Sequence, residues 1–253
     1  MNFLAAVKME CYKSVNRSST KLLSVFIALP IFYGIANIKG SQAVAIEGSF
    51  SAMTFGSMCW GLLGMTGITN ILFIILIANY FGREKEEGQI KFILLETCNR
   101  KKVIFAKYVS ILFLVLLSYF FMYLTSIIVY YTCIAGPEHG SMMVDGIADF
   151  LMCFSADFLY LIQLIMIASM EVLICMYFKS SFSLLLGVAL SMVFIVLQYV
   201  PIIKFADPIY IVELFNESKI STLGILIYGT VYLCLAYILI VFAEKKFQRT
   251  EIK

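Results

Sequence analysis

The sequence predicts an all-α polytopic membrane protein with six transmembrane helices, an amphipathic interfacial helix at the N-terminus and both termini in the cytoplasm. Three observations carry this. Of the 253 residues, 62% are hydrophobic and 14% charged, whereas a soluble domain carries about 45–50% apolar and about 25% charged residues. So little charge cannot cover a surface that faces water. Six long apolar runs lie near 22–38, 54–80, 108–134, 150–177, 182–200 and 221–243, close to or above the roughly 20 residues that a helix needs to cross a bilayer. With the N-terminus inside, 16 of the 19 Lys and Arg residues fall in inner segments and only Lys39, Lys204 and Lys219 outside, which is the positive-inside asymmetry. Residues 1–253 are therefore read as one membrane domain. The net charge of +3 is small, and no nucleic-acid partner is expected.

Residues 1–21 come first. Glu10, Lys13 and Arg17 recur at helical spacing on one side, and Leu4, Val7 and Cys11 on another. That pattern predicts an amphipathic helix on the inner membrane surface or a charged flank that fixes topology, and the two are compatible. Ala43-Val44-Ala45 resembles a leader cleavage site, but it lies well beyond the first run and after a polar region of 21 residues. Leaders are usually about 15–30 residues in all, so the first run reads as an uncleaved span. Helix is the expected form of every run, because in lipid each backbone N–H and C=O must be satisfied within its own segment. The second, third and fourth runs exceed the minimum and are expected to tilt or project.

The segment 81–107 is the largest charged loop. Ile90, Ile93 and Leu94 recur at i, i+3, i+4, which predicts a short amphipathic helix over 84–96. Glu84, Glu86 and Glu87 crowd its start, where the helix dipole favours acids. Asn99 breaks the pattern and Arg100-Lys101-Lys102 opens the next helix. Such a helix–break–helix is either a docking surface or a solvated loop. Glu171 lies within the fourth run, and a carboxylate there is a functional candidate by default. It either pairs with a polar group on a neighbouring helix or serves a substrate or proton path. Asn70, Gln163 and Gln198 raise the same question more weakly, as interhelical hydrogen-bonding groups, and Asp157 sits nearer the outer end. Residues 199–213 are apolar between their charges, with Pro201 and Pro208 each starting a stretch. They predict short helices or a re-entrant hairpin.

Some chemistry is excluded. With His139 the single histidine and seven cysteines that form no CxxC pair, neither a His-rich nor a clustered cysteine metal site is expected. The cysteines read as small buried hydrophobes, with a Cys133–Cys153 disulfide unsupported. No GxxxxGK[ST] stretch occurs, so the chain does not hydrolyse ATP alone, and no GxSxG nucleophile elbow occurs. Glu86-Glu87 followed by Lys91 is a weak match to the Glu-Glu-xxx-Arg motif of intramembrane prenyl-protein proteases. It is rejected, because those enzymes need intramembrane histidines and His139 falls on the opposite side.

The layout of amphipathic N-terminal helix, six spans, acidic loop after the second span and apolar outer segment before the sixth resembles the permease subunit of ABC-2 type exporters. The match is best over Phe81 to Lys107, through Glu84, Glu87, Gly88, the apolar Ile90 to Leu95, Arg100 and Lys107. Thr97-Cys98-Asn99 stands where many members have a proline, and Asp207-Pro208 with Tyr210 resembles the Pro-aromatic stretch before the last span. The resemblance implies a bacterial plasma-membrane permease with no cofactor of its own, a second permease subunit (the same chain or a related one) and lipid around it. A separate ABC ATPase would hold ATP and magnesium. Glu84, Glu87, Gly88, Ile90 and Arg100, with Lys13 and Arg17, would form the ATPase-coupling and docking region. Glu10-x-x-Lys13 before Arg17-Ser18 is similar to permeases of lantibiotic immunity and peptide-antibiotic resistance, which implies an amphipathic antimicrobial peptide as cargo. The alternatives are an ion-gradient-driven transporter or channel and a non-transporting scaffold or sensor.

Overall fold

A computed structural model describes residues 3–40, 48–90, 99–136, 140–197, 200, 204–217 and 219–249. The expected helix at the N-terminus is α1, Phe3–Asn16. A 3₁₀ turn, Ser18–Ser24, leads into α2, Val25–Ile38. Then come α3, Ala52–Met65, and α4, Ile68–Glu86, which contains one π-turn at Ala78–Gly82. The long helices α5, Arg100–Ile134, and α6, Ile147–Tyr177, follow. The last three are α7, Ser180–Leu197, the short α8, Pro208–Asn216, and α9, Thr222–Arg249. No strand occurs among the described residues; Gly136 and Gly140 form an isolated bridge.

Among the described residues, four helices are long and apolar enough to cross a membrane, five if the bent pair α3–α4 counts as one span. At a rise of 1.5 Å per residue, the 35 residues of α5 are ~52 Å long, more than a hydrocarbon core of ~30 Å. Large apolar side chains such as Leu116, Phe120 and Ile128 on α5 and Leu185 on α7 face outward. A contiguous exposed surface of that kind is stable against lipid and not against water.

The second run departs from expectation. It is not one straight helix: α3 and α4 meet at 66° across Thr66-Gly67. Gly67 adopts φ +72°, a left-handed conformation that closes α3 and that glycine reaches without the Cβ clash. Downstream of the break, Thr69 Oγ1 and Asn70 Nδ2 are buried with no hydrogen-bond partner. Residues 204–216 do form short helices, a 3₁₀ turn at Lys204–Ala206 and then α8, with Pro208 at the first helical position that its fixed φ suits.

The helices pack around two main apolar cores. One gathers Phe26, Trp60, Phe73 and Tyr130 between α2, α3, α4 and α5. The other gathers Ile77, Tyr80, Phe81, Ile90, Ile104 and Phe247 at the opposite end. Of the cysteines, Cys59, Cys153 and Cys175 are buried, Cys11 and Cys133 are partly exposed and Cys234 is exposed, all as free thiols. The apolar-filler reading therefore holds for three of them. Cys98, His139 and Gln198 lie outside the described residues.

Candidate functional site

Where α1, the end of α4 and the start of α5 meet, four charged side chains close on one another. Lys107 is 1% exposed, Glu10 1% and Glu84 2%. The Lys107 Nζ donates to Glu10 Oε2 at 2.9 Å and also pairs with Glu84 Oε2. Arg17 Nη2 reaches the other Glu84 oxygen at 2.7 Å, and its Nη1 donates to the Asn79 carbonyl at 3.2 Å. Tyr80 donates its hydroxyl to Glu10 Oε2, while its ring lies 4.3 Å from Lys107 Nζ and 5.2 Å from the Arg17 guanidinium. Ser110 donates to the Tyr80 hydroxyl at 3.2 Å. Lys13 approaches Glu10 Oε1 at 3.8 Å from the partly exposed side.

Two buried carboxylates face the buried Lys107 and the partly exposed Arg17, so the cluster is balanced within itself. Desolvating an ion costs several kcal/mol, which only close pairing with further hydrogen bonds recovers. Glu10 shows the balance. Burial pushes its carboxyl up, but the Lys107 charge, the Tyr80 hydroxyl and Lys13 together outweigh burial and hold it below the ordinary value of 4.5.

The cluster shows which side of α1 turns inward. Glu10 and Ser14 are the buried side of that helix and Leu4 is 75% exposed. The charged stripe faces protein because its partners wait there, and the Leu4 side is left to the surroundings.

The start of the expected 84–96 helix is corrected, while 91–96 lie outside the described residues. Glu84 and Glu86 end α4 rather than start a new helix, and Gly88 at φ +70° turns the chain before Gln89 and Ile90 re-enter helix. Acids at a helix C-terminus are opposed by the dipole, so each needs a partner. Glu84 has Lys107 and Arg17. Glu86 accepts from the Ser180 N–H at 2.5 Å and so caps the start of α7. Between them, Lys85 Nζ donates to the Cys175 and Met176 carbonyls at 2.7 and 3.0 Å, covering orphan carbonyls at the end of α6. Three successive residues thus fasten three different parts of the bundle.

Glu87 stays on the surface, paired with Arg83 at 2.6 Å and Gln89. Ile90 is buried in the apolar core of this end; Ile93 and Leu94 lie outside the described residues. Asn99 caps α5 by accepting from the Lys101 and Lys102 N–H groups, as its position predicts. Arg100 does not join the cluster: it donates to the Phe247 and Gln248 carbonyls near the end of α9. Glu171 is separate too. It is 1% exposed against α7, with Cys175 Sγ 3.5 Å from Oε1 and no hydrogen-bond partner on Oε2. Any Cβ at Gly187 would fall 1.9 Å from that oxygen, so the glycine makes room for it; Lys179 is exposed.

Sequence reasoning missed Tyr80, Lys85 and Glu86 as fastening groups. The signal was local: an unbroken Arg-Glu-Lys-Glu-Glu run directly after an apolar run must end one helix before it starts another.

Together, the fold and its buried charges define a class: an all-helical protein with several helices able to span a membrane and an internal ionic cluster at one end of the bundle. Residues 36–207 match the family described as a protein of unknown function (DUF2705), and the chain belongs to that family. No curated protein matches it.

Proposed function

We propose that this chain is the membrane-spanning permease subunit of an ATP-driven exporter of the ABC-2 type, with six spans and both termini in the cytoplasm. A separate ATPase would dock at the Lys107 end. The cargo we favour is an amphipathic antimicrobial peptide, moved outward for immunity or resistance.

One observation supports this most. Residues 84–86 tie α4 to α1 and α5 through Arg17 and Lys107, to the end of α6 through Lys85 and to the start of α7 through Glu86. A push delivered by a partner at Arg83–Gly88 would be carried from α4 to four other helices by charge-assisted hydrogen bonds, which are short and stiff. Glu87 and Arg83, on the outer side of that segment, remain available to such a partner.

The test is co-purification of the tagged chain from its host in mild detergent. A stoichiometric ATPase is expected with the wild type. Gly88→Pro, which cannot hold φ +70°, should lose transport while the protein still inserts, and Glu84→Lys, which sets three cations together, should lose the ATPase. Wild-type transport in both variants would remove the coupling role.

A second reading is an ion-driven transporter. The bent pair α3–α4 and the Glu171 oxygen without a partner favour it, since broken helices and intramembrane carboxylates serve such proteins. A scaffold or sensor, like the ion-driven transporter, predicts no ATPase in the purified complex.

A further inference from the structure

At the end of the bundle opposite Lys107, a cleft of about 500 Å³ opens between α3, the first half of α6 and α8. Ligand pockets are typically ~300–1,000 Å³ with apolar walls and a few placed polar groups, and this cleft has that form. Met58, Met65 and Met152 supply flexible thioether walls, with the Tyr160 ring beside them. Methionine walls adapt to differing apolar shapes.

The charged groups that line it are all of one sign. Asp149 and Glu213 line the cleft. Asp149 accepts from the Ser51 and Thr54 hydroxyls at 2.8 and 2.9 Å. Behind Ser57, which lines the cleft, Asp157 accepts from Ser57, Tyr119 and Tyr123 at 2.8, 2.9 and 2.6 Å. Every donor named is a neutral hydroxyl. Among the described residues, no lysine or arginine forms an ion pair with Asp149, Asp157 or Glu213. The basic groups of α8 and its flanks are engaged elsewhere, Lys204 over the Tyr210 ring at 4.5 Å and Lys219 with Glu217 at 2.6 Å.

We infer that this cleft binds a small amphipathic organic cation, with its apolar body against the methionines and Tyr160 and its positive centre toward Asp149 and Glu213. Hydroxyl donors orient the carboxylates and leave their charge uncompensated, so a cation would supply what the fold omits. An apolar guest without charge would fill the walls and gain nothing from the acids; an anion would be repelled.

The experiment uses a pair of probes of one shape and opposite charge, tetraphenylphosphonium and tetraphenylborate. Binding to the full chain in neutral detergent micelles is measured by equilibrium dialysis, corrected against empty micelles of the same detergent. Saturable tetraphenylphosphonium binding is expected, at least about tenfold tighter than tetraphenylborate and weakened by salt. Glu213→Gln, an exposed and conservative change, should weaken it about 3–10-fold, and Asp149→Asn combined with it further. Equal affinity for the two probes, no saturable cation binding, or an unchanged affinity in folded Glu213→Gln together with the double variant would overturn the assignment. The binding needs no ATPase, so its outcome is independent of whether the chain is an exporter subunit.

Discussion

The two ends of this bundle handle carboxylates in opposite ways. At the Lys107 end, Glu10 and Glu84 face cations drawn from α1 and α5. At the cleft end, Asp149 and Asp157 are met by Ser, Thr and Tyr hydroxyls. Ion pairs close the first cluster upon itself: it holds helices together and presents little field to anything outside. Hydroxyls hold the second set in place without neutralising it, so its field extends into the cleft. The same side-chain type is a fastening in one place and a lure in the other, and the neighbours decide which.

The largest way to break the contrast is Lys107→Ala. It strips two buried carboxylates of their shared cation, and loss of one member of a buried pair typically costs about 3–5 kcal/mol. Monodisperse protein on size-exclusion chromatography, or the apparent melting temperature in detergent, should fall sharply; an unchanged melt would show that the cluster is not what fastens α1. Tyr123→Phe at the other end removes one of three hydroxyl donors to Asp157 and should cost about 1–2 kcal/mol by the same measurement. A loss as great as that of Lys107→Ala would mean that the two ends are not different in kind. Arg17 is partly exposed, so solvent screens it, and Arg17→Ala should cost about 1 kcal/mol or less. A double-mutant cycle with Glu84→Gln isolates that pairing.

The smallest effect is a pH dependence. Glu10 has its carboxyl held below 4.5 in the fold. A carboxylate so depressed stabilises the fold at pH above the unfolded value, and that contribution fades as pH falls through the lower folded value. Melting should therefore show no loss from Glu10 between pH 7 and 5, with a decline only in more acid solution that is smaller in Glu10→Gln. A Glu10-dependent loss already complete at pH 5 would contradict the ion-pair account.

Much of this was legible in the sequence. The apolar runs marked the helices because lipid leaves no other backbone solution, and Asn99 and Pro208 marked helix starts by their own chemistry. Glu10, Arg17 and Glu84 were singled out by position, and Lys107 by resemblance. Their convergence was not visible, since it depends on which face of α1 turns inward, and spacing alone assigns the charged face to water. The bend at Gly67 was masked by an apolar run that continues on both sides of it. The cleft is lined by one face of α3 and one of α6, each at helical spacing, with Val212 and Glu213 of α8; that these faces meet depends on packing between segments about 100 and 60 residues apart, which no local pattern reports.

The π-turn at Ala78–Gly82, closed by the Arg83 N–H to the Ala78 carbonyl, sets a rule of length for this protein. A π-turn is an α-helix carrying one additional residue, and each residue of a helix advances the chain by about 100°. Excising one residue there would leave hydropathy and composition almost untouched and would mend the helical ladder. Because the wider turn absorbs its additional residue, Glu84, Lys85 and Glu86 would keep nearly the same face and still reach their partners. A relative with one residue fewer at this turn can therefore keep all three fastenings, whereas one residue removed from the α-helical part of α4 would turn them away by about 100°.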